Sequence, residues 1–218
     1  MWTSEQIYSE FDESWYPVVS VYMEKIKRAL KQKGVIYPPK NCIFRVFKKP
    51  LQDIRLVILA QDPYHGKNQA TGLAFDCSNN NDKRQPSLLN IFKEITDEFP
   101  KRDYNFEGSD ISDWINEDIF LLNSALTVKE GDPGSLMKYW YDFTDAIIQY
   151  IADYNPLAVF LLMGGPAKLK SKFITDKTKI ISCAHPSPLS AYRGFFKSNV
   201  FVKIENLIGE IDWSINKR

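Results

Sequence analysis

The sequence predicts a single three-layer α/β domain, with a short, mostly parallel four-stranded sheet flanked by helices, and three observations predict it. First, the segments 56–60, 119–122, 158–163 and 179–182 are short and largely apolar, without the alternation of a half-exposed strand. Strands of that kind are covered on both faces, as in parallel sheets. Second, segments with apolar residues at helical spacing run between them, and strands alternating with helices make parallel crossover units. Third, 218 residues with 44% hydrophobic and 14% aromatic content suit one domain and one sizeable core over 1–218. No internal repeat or low-complexity segment interrupts it.

Taken in order, residues 1–13 are acidic and polar with little periodicity, either a short helix or a loose N-terminal arm. From Trp15, Val18, Val19, Tyr22, Met23, Ile26 and Leu30 recur at helical spacing, and Gly34 is placed to cap that helix. Residues 35–39 make an extended, proline-stiffened turn, and 42–47 pack beneath the first strand. After that strand comes a short apolar segment, 72–76, then a polar loop over 78–84 rich in turn-formers. Pro86 and Ser87 open a helix whose apolar stripe is Leu88, Leu89, Ile91, Phe92 and Ile95. Trp114 and Ile115 suggest a further helix before the second strand, which ends at Asn123. A turn at 131–135 leads to a helix over 139–154. The third strand runs into Gly164, Gly165 and Pro166, and the last helix carries Phe195, Phe196, Val200, Phe201, Ile204 and Leu207.

Composition excludes several classes. No apolar run approaches the roughly 18 residues of a membrane span, and residues 1–5 lack the basic and apolar regions of a signal peptide, so an intracellular protein with no membrane contact is expected. Cys42, Cys77 and Cys183 are an odd, widely spaced set that disfavours disulfides and zinc. Net charge is +1, but basic residues crowd 25–55 and 168–203 while acids collect over 94–145. That distribution suits either a phosphate-contacting face or solvated helix surfaces.

The chemistry concentrates beyond two strand ends, where open α/β sheets bind ligands. Residues 56–60 run into Gln61, Asp62, Pro63, Tyr64, His65 and Gly66, an amide, a carboxylate, a phenol and an imidazole aimed by a stiff turn. Ile180 and Ile181 run into a second loop, Ser182, Cys183, Ala184, His185, Pro186, Ser187, Pro188, Leu189 and Ser190. The chain has two histidines, and each follows a strand-like run and abuts Pro or Gly. An isolated Asp-Pro-Tyr-His would ordinarily be a plain turn; the second loop makes a site the better reading.

Together these segments resemble the two signature loops of the family-1 uracil-DNA glycosylases, the water-activating loop and the DNA-intercalation loop. The likeness extends through 35–39 with Phe44 and Phe47, 72–75, 86–90, 121–123 and 143–145. It implies a monofunctional enzyme that flips uracil out of DNA and hydrolyses the N-glycosidic bond to leave an abasic site, initiating base excision repair without metal or cofactor. A base inside a duplex is out of reach, so such an enzyme needs a fitted pocket for the extruded nucleotide. The resemblance assigns Asp62 to orienting water and stabilising the cationic sugar, and His185 to hydrogen-bonding uracil O2 as charge develops. Gln61 shapes the pocket, Phe75 stacks on the base, Asn123 reads its edge and Tyr64 blocks the thymine methyl. His65 lies near sugar and phosphate, Ser87, Gly165, Ser187 and Ser190 contact phosphates, and Leu189 fills the vacated gap. Read singly, Phe75 would be core, Asn123 a turn residue and Ser87 a helix start. The expected partner is uracil-containing DNA, single- or double-stranded, and the likeness permits binding by a DNA-mimicking protein inhibitor. A monomer is expected, cytoplasmic in a bacterium, or nuclear or in a viral factory in a eukaryotic or viral setting.

Five positions depart from the family pattern. Ala60 stands where Gly is usual, at a cost of about 1 kcal/mol if its φ must be positive. Gly165 replaces a phosphate-binding serine, Gln85 a proline, and Leu136 and Met163 the usual His and Trp at supporting positions. A non-catalytic DNA-binding or scaffold role in a replication complex is the alternative, and Asp62, Tyr64, Asn123 and His185 argue against it. A metal-dependent phosphoesterase using Asp62, His65 and His185 lacks a second carboxylate cluster near those loops.

Overall fold

The computed structural model describes residues 2–78 and 85–215; the polar loop expected at 78–84 falls, except for Ser78, outside them. The helices are α1 Ser4–Tyr8, α2 Tyr16–Leu30, α3 Pro86–Glu98, α4 Met137–Tyr154, α5 Gly165–Lys168 and α6 Val200–Ile208. The strands are β1 Ile36–Tyr37, β2 Leu56–Ala60, β3 Ile119–Asn123, β4 Val128–Lys129, β5 Val159–Met163 and β6 Ile180–Cys183.

The expected sheet is present in the order β3-β2-β5-β6, and all its pairings are parallel. Every residue of β2, β3 and β5 is buried, the physical reason that those runs are continuously apolar. The chain leaves β2 for β3 on one side and returns through β5 on the other, so the strand order reverses at β2. Crevices form beyond the carboxyl ends of strands at such a reversal. Ala60 lies level with Asn123 in the register, which brings the first loop and the base-reading candidate to one end of the sheet.

Several expectations need correction. Of the two readings of the N-terminal stretch, the short helix holds over the described residues 2–13 and the loose arm does not: Thr3 caps α1 through a capping box with Gln6, and Ile7 and Phe11 are buried. Phe11 packs on Phe44 and Phe47, with ring centroids 4.8 and 4.7 Å apart. Helix α2 ends at Leu30 with Lys31 as its cap, so Gly34 serves the following turn, at φ +115°. The extended turn at 35–39 contains β1, which pairs antiparallel with β4. Trp114 and Ile115 lie in a six-residue 3-10 segment, Ser112–Glu117. Leu89 and Leu207 face solvent, and Phe195 and Phe196 precede α6.

Five of the ten basic residues of the first stretch are ion-paired within the chain. Lys25 pairs with Asp142 at 2.5 Å, Lys27 with Glu24 at 2.9 Å, Lys48 with Glu10 at 3.3 Å and Arg45 with Asp76 at 3.5 Å, while Lys49 holds Asp118. In the second stretch Lys170 is buried, 2.5 Å from Asp145 and 3.9 Å above the Tyr141 ring centroid. Among the described residues no helix is long and apolar enough to cross a membrane.

Candidate active site

A cavity of about 240 Å³ opens at the carboxyl end of β2, lined by Ala60, Gln61, Asp62, Pro63, Tyr64, His65, Leu73, Phe75, Ser87 and His185. Seven of these are predicted site residues: Gln61, Asp62, Tyr64, His65, Phe75, Ser87 and His185. The volume suits one base-sized ligand rather than a larger molecule.

Asp62 leaves the sheet at the rim. One of its oxygens accepts the Gly134 backbone N–H at 2.5 Å, and the other the Gln61 amide at 3.3 Å. Burial raises its carboxyl above the usual range, opposed by those two donors and by the nearby His65. The turn at 131–135 therefore supplies a site group that its sequence did not reveal. Its Gly-Asp-Pro-Gly run was the available signal, since a positive φ, here +79° at Gly134, marks a backbone free to present its amide.

His185 sits across the cavity, beyond β6. Its Nδ1 accepts the Ser187 backbone N–H at 3.0 Å, which leaves Nε2 as the proton-bearing nitrogen of the neutral ring. Burial holds its pKa below the ordinary histidine value, favouring that neutral form. Gly164 backs the ring: a Cβ built there would lie 2.9 Å from the His185 Cβ, at φ +87°.

Phe75 lines the wall with its ring centroid 5.9 Å from that of His185. Its φ of +63° is unusual for a bulky side chain and is held by neighbours on both sides. Tyr64 donates its hydroxyl to the Phe75 carbonyl at 3.4 Å, and Ala74 N–H reaches Leu121 O at 3.0 Å. The next residue, Asp76, is wholly buried, accepting the Ile111 N–H at 2.7 Å, the Thr71 hydroxyl and Arg45. Burial, first among several influences, pushes the Asp76 carboxyl up to about 6. Burial likewise raises the Tyr64 phenol, which stays protonated.

Asn123 is 2% exposed and is not among the lining residues, yet its Oδ1 is buried without a hydrogen-bond partner. An orphan acceptor at the end of β3, level with Ala60, is an unmet demand for an N–H. Ala60 itself lies in regular β2 and does not have a positive φ, so the conditional backbone cost does not arise. Ser87 enters the lining from the first turn of α3, where Gln85 is the cap at φ −71°. Leu136 and Met163 are both core residues.

The remaining predicted residues lie outside the cavity lining. Leu189 is 86% exposed on a tightly bonded loop: Ser190 Oγ donates to His185 O at 2.8 Å, Ser187 and Ser190 hydroxyls meet at 3.0 Å, and Ser190 and Ala191 N–H both reach Ser187 O. Gly165 is exposed at the start of α5, and a Cβ there would meet open space.

A family model described as the uracil DNA glycosylase superfamily matches residues 48–208. The uracil-DNA glycosylase of Streptococcus thermophilus is 39% identical over 197 residues, covering 89% of this chain and 87% of the relative. That of Streptococcus pyogenes is 37% identical over 218 residues, covering 96% of each. A solved mimivirus UNG variant in complex with UGI superposes with a TM-score of 0.74 at 27% identity, covering 83% of this chain and 72% of that one.

Proposed function

The chain belongs to the uracil DNA glycosylase superfamily and is a DNA glycosylase acting on uracil, and from that premise we propose how its own residues divide the reaction. Hydrolysis breaks the bond between uracil and deoxyribose and joins a water oxygen to the sugar. Positive charge grows on the sugar and negative charge on the leaving base, so the site must meet both. Asp62, fixed by Gly134 and Gln61, supplies the anion beside the sugar and accepts the proton of the attacking water. His185 donates from Nε2 to uracil O2, stabilising the departing anion without carrying a full charge itself.

The orphan Oδ1 of Asn123 accepts uracil N3–H. Cytosine offers a lone pair at that position, so Asn123 rejects it by leaving two acceptors opposed. Phe75 stacks on the base and Tyr64 excludes the 5-methyl group. Ser87, Ser187, Ser190 and the Gly165 amide hold the phosphates, His65 lies by the sugar, and Leu189 occupies the gap in the stack. The substrate is uracil-containing DNA in either strand state. Binding by a DNA-mimicking inhibitor follows from the same anion-binding face, and the UGI complex of the mimivirus variant supports that reading.

The observation that carries the assignment is the Ser187 N–H on His185 Nδ1. Imidazole ¹⁵N shifts test it. The Nε2–H tautomer is expected, with its resonance moving on addition of free uracil. An Nδ1–H tautomer would overturn the role of His185.

A further inference from the structure

Helix α3 carries its apolar residues Leu88, Ile91, Phe92 and Ile95 into the core. Its polar residues Ser87, Asn90, Glu94 and Glu98 follow at steps of three, four and four, which keeps them on one face. Each of the last three reaches across to the segment that contains or follows the Leu189 loop. Asn90 Nδ2 donates to Pro186 O at 2.7 Å. Glu94, 1% exposed, accepts the Ser198 N–H at 3.0 Å. Glu98 accepts the Val202 N–H of the first turn of α6 at 2.8 Å, where a carboxylate also suits the helix dipole.

We propose that Asn90, Glu94 and Glu98 are positioning residues that lock the Leu189 loop to the Ser87 end of α3, so that phosphate grip and wedge act as one rigid unit. A buried carboxylate is a costly way to hold an amide, and Glu94, with half-buried Glu98 one turn further along the same face, fixes the far side of the loop at defined points. The loop is bonded within itself by Ser187 and Ser190. Those bonds set its shape, whereas the ladder on α3 sets its place relative to Ser87. The inference rests on the wedge role of Leu189 given above.

The test separates substrates that need a wedge from those that do not. A single strand has no opposing stack to invade, so it reports on the pocket, whereas a duplex reports on pocket and wedge together. Single-turnover uracil release is measured for the parent, Asn90→Ala, Glu94→Ala and Glu94→Gln on matched single- and double-stranded oligonucleotides, with thermal melts as a check of folding. Asn90→Ala is expected to slow release from duplex about tenfold, the loss of one aligned hydrogen bond, and release from single strand by about twofold or less. Glu94→Ala should behave alike, and Glu94→Gln, which keeps an acceptor for Ser198, should restore the parental ratio. In a Leu189→Ala background, Asn90→Ala should add little further loss, because both act through the wedge.

Equal losses on the two substrates, or fully multiplicative losses with Leu189→Ala, would overturn the proposal. Should Asn90→Ala not fold, the Glu94 pair decides by the same ratio. Failure of the parent to release uracil from either strand form would instead sink the excision reading itself.

Discussion

The Ser187 backbone N–H donates to Nδ1 of His185 at 3.0 Å, and that bond fixes which nitrogen of the ring can serve a ligand. Protonating His185 would set two donors against each other at Nδ1. Burial lowers its pKa, so the neutral form is lost when pH falls through a value below the ordinary 6.5. Asp62 has a raised pKa, and its working anion is also lost as pH falls. Both groups therefore act on the acid side. A profile of kcat/KM on uracil-containing DNA should fall only on the acid side, below the ordinary histidine value. An acid limb centred above pH 6.5 would contradict this assignment.

Asp62 also predicts a stability effect. Its folded pKa lies above the unfolded value, so the stability linked to its protonation is present at low pH and lost as pH rises through the folded pKa. At neutral pH the charged group opposes folding, and Asp62→Asn should raise the melting temperature while activity falls. Melting curves at pH 7 check the sign; a lowered melting temperature would show that the Gly134 bond outweighs desolvation.

Gly134→Ala disturbs Asp62 from behind. The residue is at φ +79°, and an added Cβ would lie 3.2 Å from Met137 Cε. Strain of about 1 kcal/mol is expected, with the amide shifted from the carboxylate. The loss should fall on kcat by about tenfold with KM little changed, because the amide positions charge rather than binds DNA. Steady-state kinetics separate the two.

The adjacent glycines Gly164 and Gly165 should respond in opposite ways. Gly164→Ala drives a methyl into His185 at a positive φ and should lower kcat. Gly165→Ser places its Cβ in open space at the start of α5, so a hydroxyl can add to the phosphate grip proposed there. Its apparent DNA affinity should rise about threefold, the effect of a fraction of a hydrogen bond at a solvated site. Steady-state kinetics read the first variant, and titration of labelled oligonucleotide the second.

Tyr64 predicts selectivity. Its hydroxyl is tied to the Phe75 carbonyl and its ring walls the cavity. Tyr64→Ala should narrow the gap between uracil and thymine release, read from matched oligonucleotides. An unchanged gap would show that another group excludes the methyl.

The sheet was legible because β2, β3 and β5, covered on both faces, are nearly continuous apolar runs; edge strand β6, with Ser182 exposed, showed only as the short Ile180–Ile181 run, and all four strands lie within one residue of the expected bounds. The two histidine loops were legible through residue type alone. What escaped depended on contacts distant in sequence. The β1–β4 pair is two residues long and has no period to read. Gly134 meets Asp62 across 72 residues of chain. Lys170 looked like part of a basic face until Asp145 and Tyr141 enclosed it. The tautomer of His185 depends on a backbone amide two residues on, a matter of loop conformation rather than composition.

The role proposed for Asp62 in uracil excision is open to direct test. The most direct measurement is release of free base from matched oligonucleotides carrying one U, T or C, with EDTA present, by the parent and by Asp62→Asn. Release of uracil alone is expected from the parent, with a loss of about 10²–10³-fold or more in the variant. Parental rates from Asp62→Asn, or DNA binding by the parent without base release, would contradict it.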